Sequence, residues 1–142
     1  GEGAPLALSL SPWPSRHRKS RRDTERTTYG TELRNAVRRL KDDHGIEDVV
    51  LAGDYNDEPF DDTISSHLMA TRDVSRLIAT KHVLYNPFWR KMGTHDEHLS
   101  NPADARVAGT YRYRSRMEIS RYQFDHMMFT RGFVIGECWR LV

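Results

Sequence analysis

Two polar residues follow an apolar run near the middle of the chain. The apolar residues 49–52 lead to Gly53, and Asp54 and Asn56 come directly after it. An aspartate can accept or relay a proton, and an asparagine amide can donate hydrogen bonds to an anion. Two such groups just past the end of a strand can face one crevice, where α/β sheets collect their ligand-binding groups. The alternative is an ordinary turn, because Gly, Asp and Asn are also favoured in turns.

The segments around these residues predict an α/β fold. The run 49–52 has no polar alternation, which is typical of a strand covered on both faces. Residues 24–43 predict a helix, since apolar residues recur along one stripe at three- and four-residue spacing. His44 and Gly45 end that helix, and residues 6–10 predict a strand before it. Strand, loop, helix and strand in this order suit a sheet with helices on its outer face.

Further elements are predicted after Pro59. Asp61 or Asp62 can cap a second helix, and residues 74–79 form a short apolar segment of either strand or helix. The remaining predictions are strands at 109–114, 123–129 and 133–139, with 115–120 as the connection between the first two.

Composition sets few limits on function. The 142 residues are about one domain, and a net charge of +2 says little about partners. No apolar run approaches the roughly 20 residues of a membrane span, and Leu6–Leu10 is too short for a signal peptide. Cys138 is the single cysteine, so an intrachain disulfide is excluded. A reducing compartment is compatible with this, and a cytoplasmic location is expected, although a longer precursor can still be secreted.

Two polar segments have competing interpretations. Residues 16–26 are rich in arginine, which suits phosphate binding because guanidinium groups grip phosphates bidentately. A solvated loop is the simpler interpretation of that run. Residues 95–98 read His-Asp-Glu-His, but the segment does not predict a helix, so a transition-metal site is not expected there.

Four stretches resemble motifs of one superfamily. Gly53–Pro59 is similar to the Gly-Asp-aromatic-Asn-Asp-x-Pro signature of the metal-dependent endonuclease/exonuclease/phosphatase superfamily, which includes pancreatic deoxyribonuclease. Ser11–Arg16 resembles its Asn-His-Trp-x-Ser-Arg loop, and Tyr85–Arg90 resembles an Asn-Pro-aromatic/Met-Trp stretch. Residues 109–129 resemble its Gly-Thr-Tyr-x-Tyr strand and the following aliphatic-Asp-His/Gln strand. The resemblance implies one partial domain over residues 1–142, part of a deoxyribonuclease I-like four-layer α/β sandwich with a mixed sheet and outer helices.

The same resemblance implies roles for individual residues. Asp54 would activate water or protonate a leaving oxygen, and Asn56 would hydrogen-bond a phosphate oxygen. Asp125 would orient the catalytic apparatus, whereas His126 is either catalytic, substrate-facing or structural. Mg²⁺ is the implied cofactor, with Mn²⁺ as an alternative. The remaining implied assignments are Ser15 and Arg16 at the phosphate, and Asp54 and Asn56 as metal ligands.

The chain also departs from the family pattern. Ser11 and Pro12 stand where the family usually has Asn and His, and Trp13 is expected to line the core instead of the site. The metal-anchoring glutamate expected before Leu10 and the Ser-Asp-His motif expected after Asp125 are both missing. An incomplete sandwich exposes an apolar sheet face, which is unfavourable in water. The chain is therefore expected to pair with itself or with a second polypeptide.

Three functions fit these observations. The first is a fragment of a metal-dependent phosphoester hydrolase, a nuclease or phosphatase that is weak or inactive in isolation. The second is a catalytically silent relative that binds nucleic acid or protein. The third is a purely structural segment. Whether the substrate is DNA, RNA, lipid or a small phosphoester is left open by the sequence.

Overall fold

A computed structural model of the chain describes residues 4–15, 22–92, 109–114, 119–136 and 141. Within these ranges the regular elements are, in chain order, β1 (Leu6–Leu10), α1 (Arg22–Asp42), β2 (Asp48–Asp54), β3 (Ala70–Thr71), α2 (Val74–Ala79), β4 (Leu84–Tyr85), β5 (Tyr111–Arg114), β6 (Ile119–Tyr122), β7 (Asp125–Phe129) and α3 (Gly132–Ile135). A π-helical turn covers Thr63–His67 and a 3₁₀ turn covers Pro87–Lys91. Among the described residues, no helix combines the length and the hydrophobicity that a membrane crossing requires.

Five of the strands form one mixed sheet in the order β1-β2-β7-β4-β3. The pairs β1–β2 and β3–β4 are parallel, whereas β7 is antiparallel to both β2 and β4. Strands β5 and β6 form a separate antiparallel ribbon. The predicted α/β class is thus confirmed. Because β1 and β2 are parallel and β7 is antiparallel to β2, the carboxyl ends of β1 and β2 and the amino end of β7 share one edge of the sheet.

Strand β2 is covered on both faces, as its unbroken apolar run predicts. Val49 and Leu51 pack in the main core with Val37 of α1. Val50 points to the other face, where it packs with Phe129 and Phe133. The same main core contains Trp13, which confirms the expected core role of that residue, together with Tyr55, Ile64, Leu68, Ala70, Leu84 and Met128.

The residues that the structure describes cover the second face of the sheet only in part. The side chains of β1 alternate, so that Leu6, Leu8 and Leu10 lie on this face while Ala7 packs against the main core. Leu8 is 62% exposed and Leu10 is 74% exposed. We call Leu6, Leu8 and Leu10 the leucine stripe. It is apolar surface on a strand at the end of the described sheet.

One predicted connection and one predicted strand differ from the structure. Residues 119 and 120, predicted as the end of the connection, belong instead to β6, because they pair with Arg114 and Tyr113 across the ribbon. Residues 133–135, predicted as a strand, belong to the helical turn α3, since the chain reverses after β7 and returns the ring of Phe133 to 5.5 Å from that of Phe129. The rest of that predicted strand, 137–139, lies outside the described residues.

The second helix predicted after Pro59 is a π-helical turn. Ile64 in this turn and Leu68 directly after it are buried. Asp62 is the residue before this turn, but its side chain makes no capping hydrogen bond. The Asp61 side chain instead accepts a hydrogen bond at Oδ2 from the Glu58 N–H at 2.7 Å, which lies before the turn. Residues 74–79, which fit either strand or helix, form α2.

Candidate functional site

The two aspartates singled out by the sequence face each other across β2 and β7. Asp54 pairs directly with Asp125 in the antiparallel register. Directly opposite residues project from the same face, with Cβ atoms about 4.5–5.5 Å apart. Both side chains are exposed, and both lie at the edge of the sheet where β1 and β2 end and β7 begins. We call Asp54 and Asp125 the carboxylate pair.

Hydrogen bonds fix the backbone on both sides of the carboxylate pair. The Asn56 N–H donates to Asp54 Oδ1 at 2.9 Å, and the Trp13 N–H donates to the Asp54 carbonyl at 2.8 Å. On the other strand, the Asp125 N–H donates to Thr110 Oγ1 at 3.0 Å. The two carboxylates are therefore presented by ordered backbone and not by a free loop.

Asn56 connects two loops at this edge. Its φ of 51° is left-handed, a conformation that asparagine tolerates better than most residues. Its Nδ2 donates to the Trp13 carbonyl at 2.9 Å. One of the amide hydrogens that were expected to bind phosphate is thus used to hold the loop after β1.

Gly53 allows that loop to approach β2. A Cβ atom built on Gly53 would lie 2.4 Å from the Ser11 carbonyl oxygen, closer than any side chain can be accommodated. The Ser11 N–H donates to the Ala52 carbonyl at 3.0 Å. The glycine of the motif is therefore required by the close approach of two backbones.

A buried ion pair holds the segment after β2 against α1. Arg26 Nη2 lies 2.6 Å from Asp57 Oδ2, and both side chains are buried. The same guanidinium donates to the carbonyls of Pro14 and Tyr55, each at 2.6 Å. Arg26 was part of the run interpreted as phosphate-binding or solvated. Its burial contradicts the solvated interpretation for this residue, and no local spacing in the sequence pointed to its partner.

His126 lies on the opposite face of the sheet from the carboxylate pair. It pairs with Gly53, and side chains alternate along a strand, so its ring enters the main core, where it is buried. Asn86 Nδ2 lies 3.0 Å from Nδ1, and Nε2 lies 2.7 Å from the Gln123 carbonyl. An amide donor at Nδ1 and a carbonyl at Nε2 fix the neutral tautomer that carries its proton on Nε2. This arrangement is structural, and it separates His126 from Asp54 and Asp125.

Asn86 is a structural residue that sequence reasoning missed. It is completely buried, it holds His126, and its Oδ1 accepts from the Phe88 N–H at 3.0 Å. The signal was present in the Asn-Pro-aromatic stretch, because an asparagine before Pro87 is suited to cap the 3₁₀ turn that follows.

Burial of His126 predicts a pH-dependent stability. Burial lowers the pKa of His126 below its ordinary value of 6.5. The unfolded chain therefore takes up a proton below about pH 6.5 that the folded chain resists, and stability is lost as pH falls further. In urea titrations between pH 7.5 and pH 5, the free energy of unfolding should fall less steeply for His126→Gln than for the unmodified chain. His44→Gln is the control, since His44 is exposed. If the unfolding free energy of His126→Gln fell with pH as steeply as that of His44→Gln, the prediction would be contradicted.

The remaining predicted site residues do not join the carboxylate pair among the described residues. Ser15 is exposed at the end of the described loop after β1. Arg16 and residues 95–98 lie outside the described residues. Within the described ranges, no group of three or more His, Cys, Asp or Glu residues is arranged to hold a metal ion. The carboxylate pair alone provides two such ligands.

No model of a known protein family matches the chain, and no curated protein matches it either. The resemblance to the superfamily therefore rests on the motifs alone. The geometry of the carboxylate pair and its neighbours is the basis for assigning a function.

Proposed function

We propose that the chain is part of a divalent-metal-dependent phosphoester hydrolase in which Asp54 and Asp125 hold Mg²⁺. The observation that carries this proposal is the pairing of two exposed carboxylates across neighbouring strands. Like charges directly opposite each other are destabilising, and a bound cation removes that repulsion. Mg²⁺ is commonly bound through one or two carboxylates, with water and substrate phosphate completing its shell. Two aspartates therefore fit this ion without a third protein ligand.

The neighbouring residues would orient these ligands. When bound, the metal would polarise the phosphoryl group of the substrate. The Asn56 N–H restrains one oxygen of Asp54, so the carboxylate is held in a defined orientation. The Thr110 hydroxyl restrains the backbone of Asp125. The motif order in the sequence supports the same reaction class.

A silent relative that binds nucleic acid or protein is the second candidate. It is favoured by the position of His126, since the imidazole of the Asp-His motif is buried on the other face with both nitrogens occupied. Pro12 also cannot replace the histidine that the family places in the loop after β1.

Cleavage of a labelled oligonucleotide separates these candidates. The substrates are a fluorescent single-stranded oligothymidylate and an oligomer of the same length built from abasic tetrahydrofuran units. The proposal expects both to be cleaved with Mg²⁺, no cleavage with excess chelator, and recovery when Mg²⁺ is restored. Salt-dependent binding to the oligonucleotide without cleavage, by a chain that circular dichroism shows to be folded, would support the silent relative instead.

We further propose that the leucine stripe is covered by a second copy of the chain, as the inner face of a four-layer sandwich would be. The stripe lies on a strand at the end of the described sheet, where unpaired backbone groups and apolar side chains favour association. Sedimentation velocity should show a dimer for the unmodified chain and a monomer for Leu8→Glu. An unmodified chain that stays monomeric at all accessible concentrations would contradict self-association.

A further inference from the structure

The β5–β6 ribbon and Phe124, two residues after it, carry three aromatic rings in contact. The rings of Tyr111 and Phe124 are 5.4 Å apart at an interplanar angle of 23°, and those of Tyr122 and Phe124 are 5.2 Å apart at 11°. Tyr111 and Tyr122 are direct cross-strand partners, 6.5 Å apart. We call Tyr111, Tyr122 and Phe124 the aromatic platform. Tyr111 is 45% exposed, so the platform has a ring available to solvent.

The aromatic platform is joined rigidly to the carboxylate pair. Thr110 Oγ1 accepts hydrogen bonds from the N–H groups of both Phe124 and Asp125, at 3.1 and 3.0 Å. The Thr110 N–H donates to the Tyr122 carbonyl at 2.8 Å. One hydroxyl thus links the start of β5 to the start of β7, and Phe124 is the residue immediately before Asp125. The exposed ring and the carboxylates have a fixed spatial relation.

We propose that the aromatic platform is a nucleobase-stacking subsite, and that the substrate of the carboxylate pair is a single-stranded nucleic acid. This inference rests on the proposed function for its account of cleavage, but the binding that it predicts does not. Aromatic side chains bind single strands by stacking on bases, because every base has a π-face. A substrate that offers such a face next to a phosphodiester matches the ring and the carboxylates together.

Charge on the ribbon supports a nucleic acid over an uncharged aromatic partner. Arg112 and Arg121 are direct cross-strand partners on the face opposite Tyr111 and Tyr122. Although both arginines also make contacts within the protein, they give the ribbon a positive charge. A phosphodiester backbone is attracted to such a ribbon, whereas an uncharged aromatic partner is not.

The contribution of the bases is measured by binding without turnover. The full chain is titrated in excess chelator with oligothymidylate and with the abasic oligomer of equal length and charge, and fluorescence anisotropy gives each Kd. Stacking predicts that oligothymidylate binds at least about fivefold more tightly. Tyr111→Ala should remove this difference, whereas Tyr111→Phe should keep it because the π-face remains.

Two further variants keep the test decisive. Tyr111→Leu retains an apolar contact with Phe124 but has no π-face, so it should behave like Tyr111→Ala even if the alanine variant is unstable. Ile78→Ala removes a comparably exposed apolar side chain from α2 and should leave both Kd values unchanged.

Failure of this inference is distinguishable from failure of the proposed function. Equal affinity for the two oligomers, or a base preference that survives Tyr111→Leu, would overturn the stacking subsite. Cleavage of the abasic oligomer would still support the hydrolase in that case. Conversely, a base preference lost in Tyr111→Leu without cleavage of either oligomer would support the subsite and contradict the hydrolase.

Discussion

Asp54→Asn is expected to reduce Mg²⁺-dependent cleavage of the abasic oligomer by about a hundredfold or more. The change removes one of the two negative charges that would hold the metal. It keeps an Oδ1 atom that can still accept the hydrogen bond from the Asn56 N–H, so the local turn should be preserved. The loss should therefore be a loss of chemistry and not of folding. Initial rates measured over a range of Mg²⁺ concentrations test this, and the variant should also require more Mg²⁺ for half-maximal rate.

Asp125→Asn provides the reciprocal test, because the pair is expected to act as a unit. Its loss should be of similar size, and the double variant should lose little more than either single variant. Glu47→Gln is the matched control, since it neutralises an exposed carboxylate just before β2, at the opposite end of that strand. Cleavage unchanged in both aspartate variants, or equally reduced in Glu47→Gln, would refute the role of the carboxylate pair.

Arg26→Met is expected to cost about 3–5 kcal/mol of stability, because it leaves the buried carboxylate of Asp57 without its cation. The carbonyls of Pro14 and Tyr55 lose their donor at the same time. These contacts join α1 to the loops after β1 and β2, so the loss should also loosen Asn56. Urea denaturation followed by circular dichroism measures the change in the free energy of unfolding.

Two companion variants identify the cause of this loss. Arg26→Met combined with Asp57→Asn should be less destabilised than the sum of the single changes, because no unpaired buried charge remains. Lys81→Met breaks an exposed ion pair with Asp42 and should have a much smaller effect, since exposed pairs are screened by water. A loss for Arg26→Met that is no larger than for Lys81→Met would show that the Arg26–Asp57 ion pair is not a major source of stability.

Local patterns in the sequence were sufficient for the elements that depend on near neighbours. The unbroken apolar run at 49–52 predicted a strand covered on both faces, and the structure divides its side chains between two clusters. The periodic stripe at 24–43 predicted α1 to within two residues at each end. In both cases the burial pattern repeats along a single segment, so it can be detected in that segment alone.

Local patterns failed where a distant partner decides the structure. Residues 119–122 have no strong strand pattern of their own, and their pairing with β5 makes them a strand. Residues 133–135 are apolar enough for a strand, but packing of Phe133 on Phe129 makes them helical.

The sequence by itself determined that Asp54 and Asn56 lie at the carboxyl end of a buried strand, that Trp13 lines the core, and that the chain is α/β. Only the tertiary structure decided that Asp54 lies opposite Asp125 and that His126 is turned away from both. The physical reason is that register between strands 71 residues apart in sequence is set by packing and hydrogen bonds across the sheet, and no local periodicity records it. A one-residue shift of β7 would bury Asp125 and expose His126, so the candidate site depends on that register.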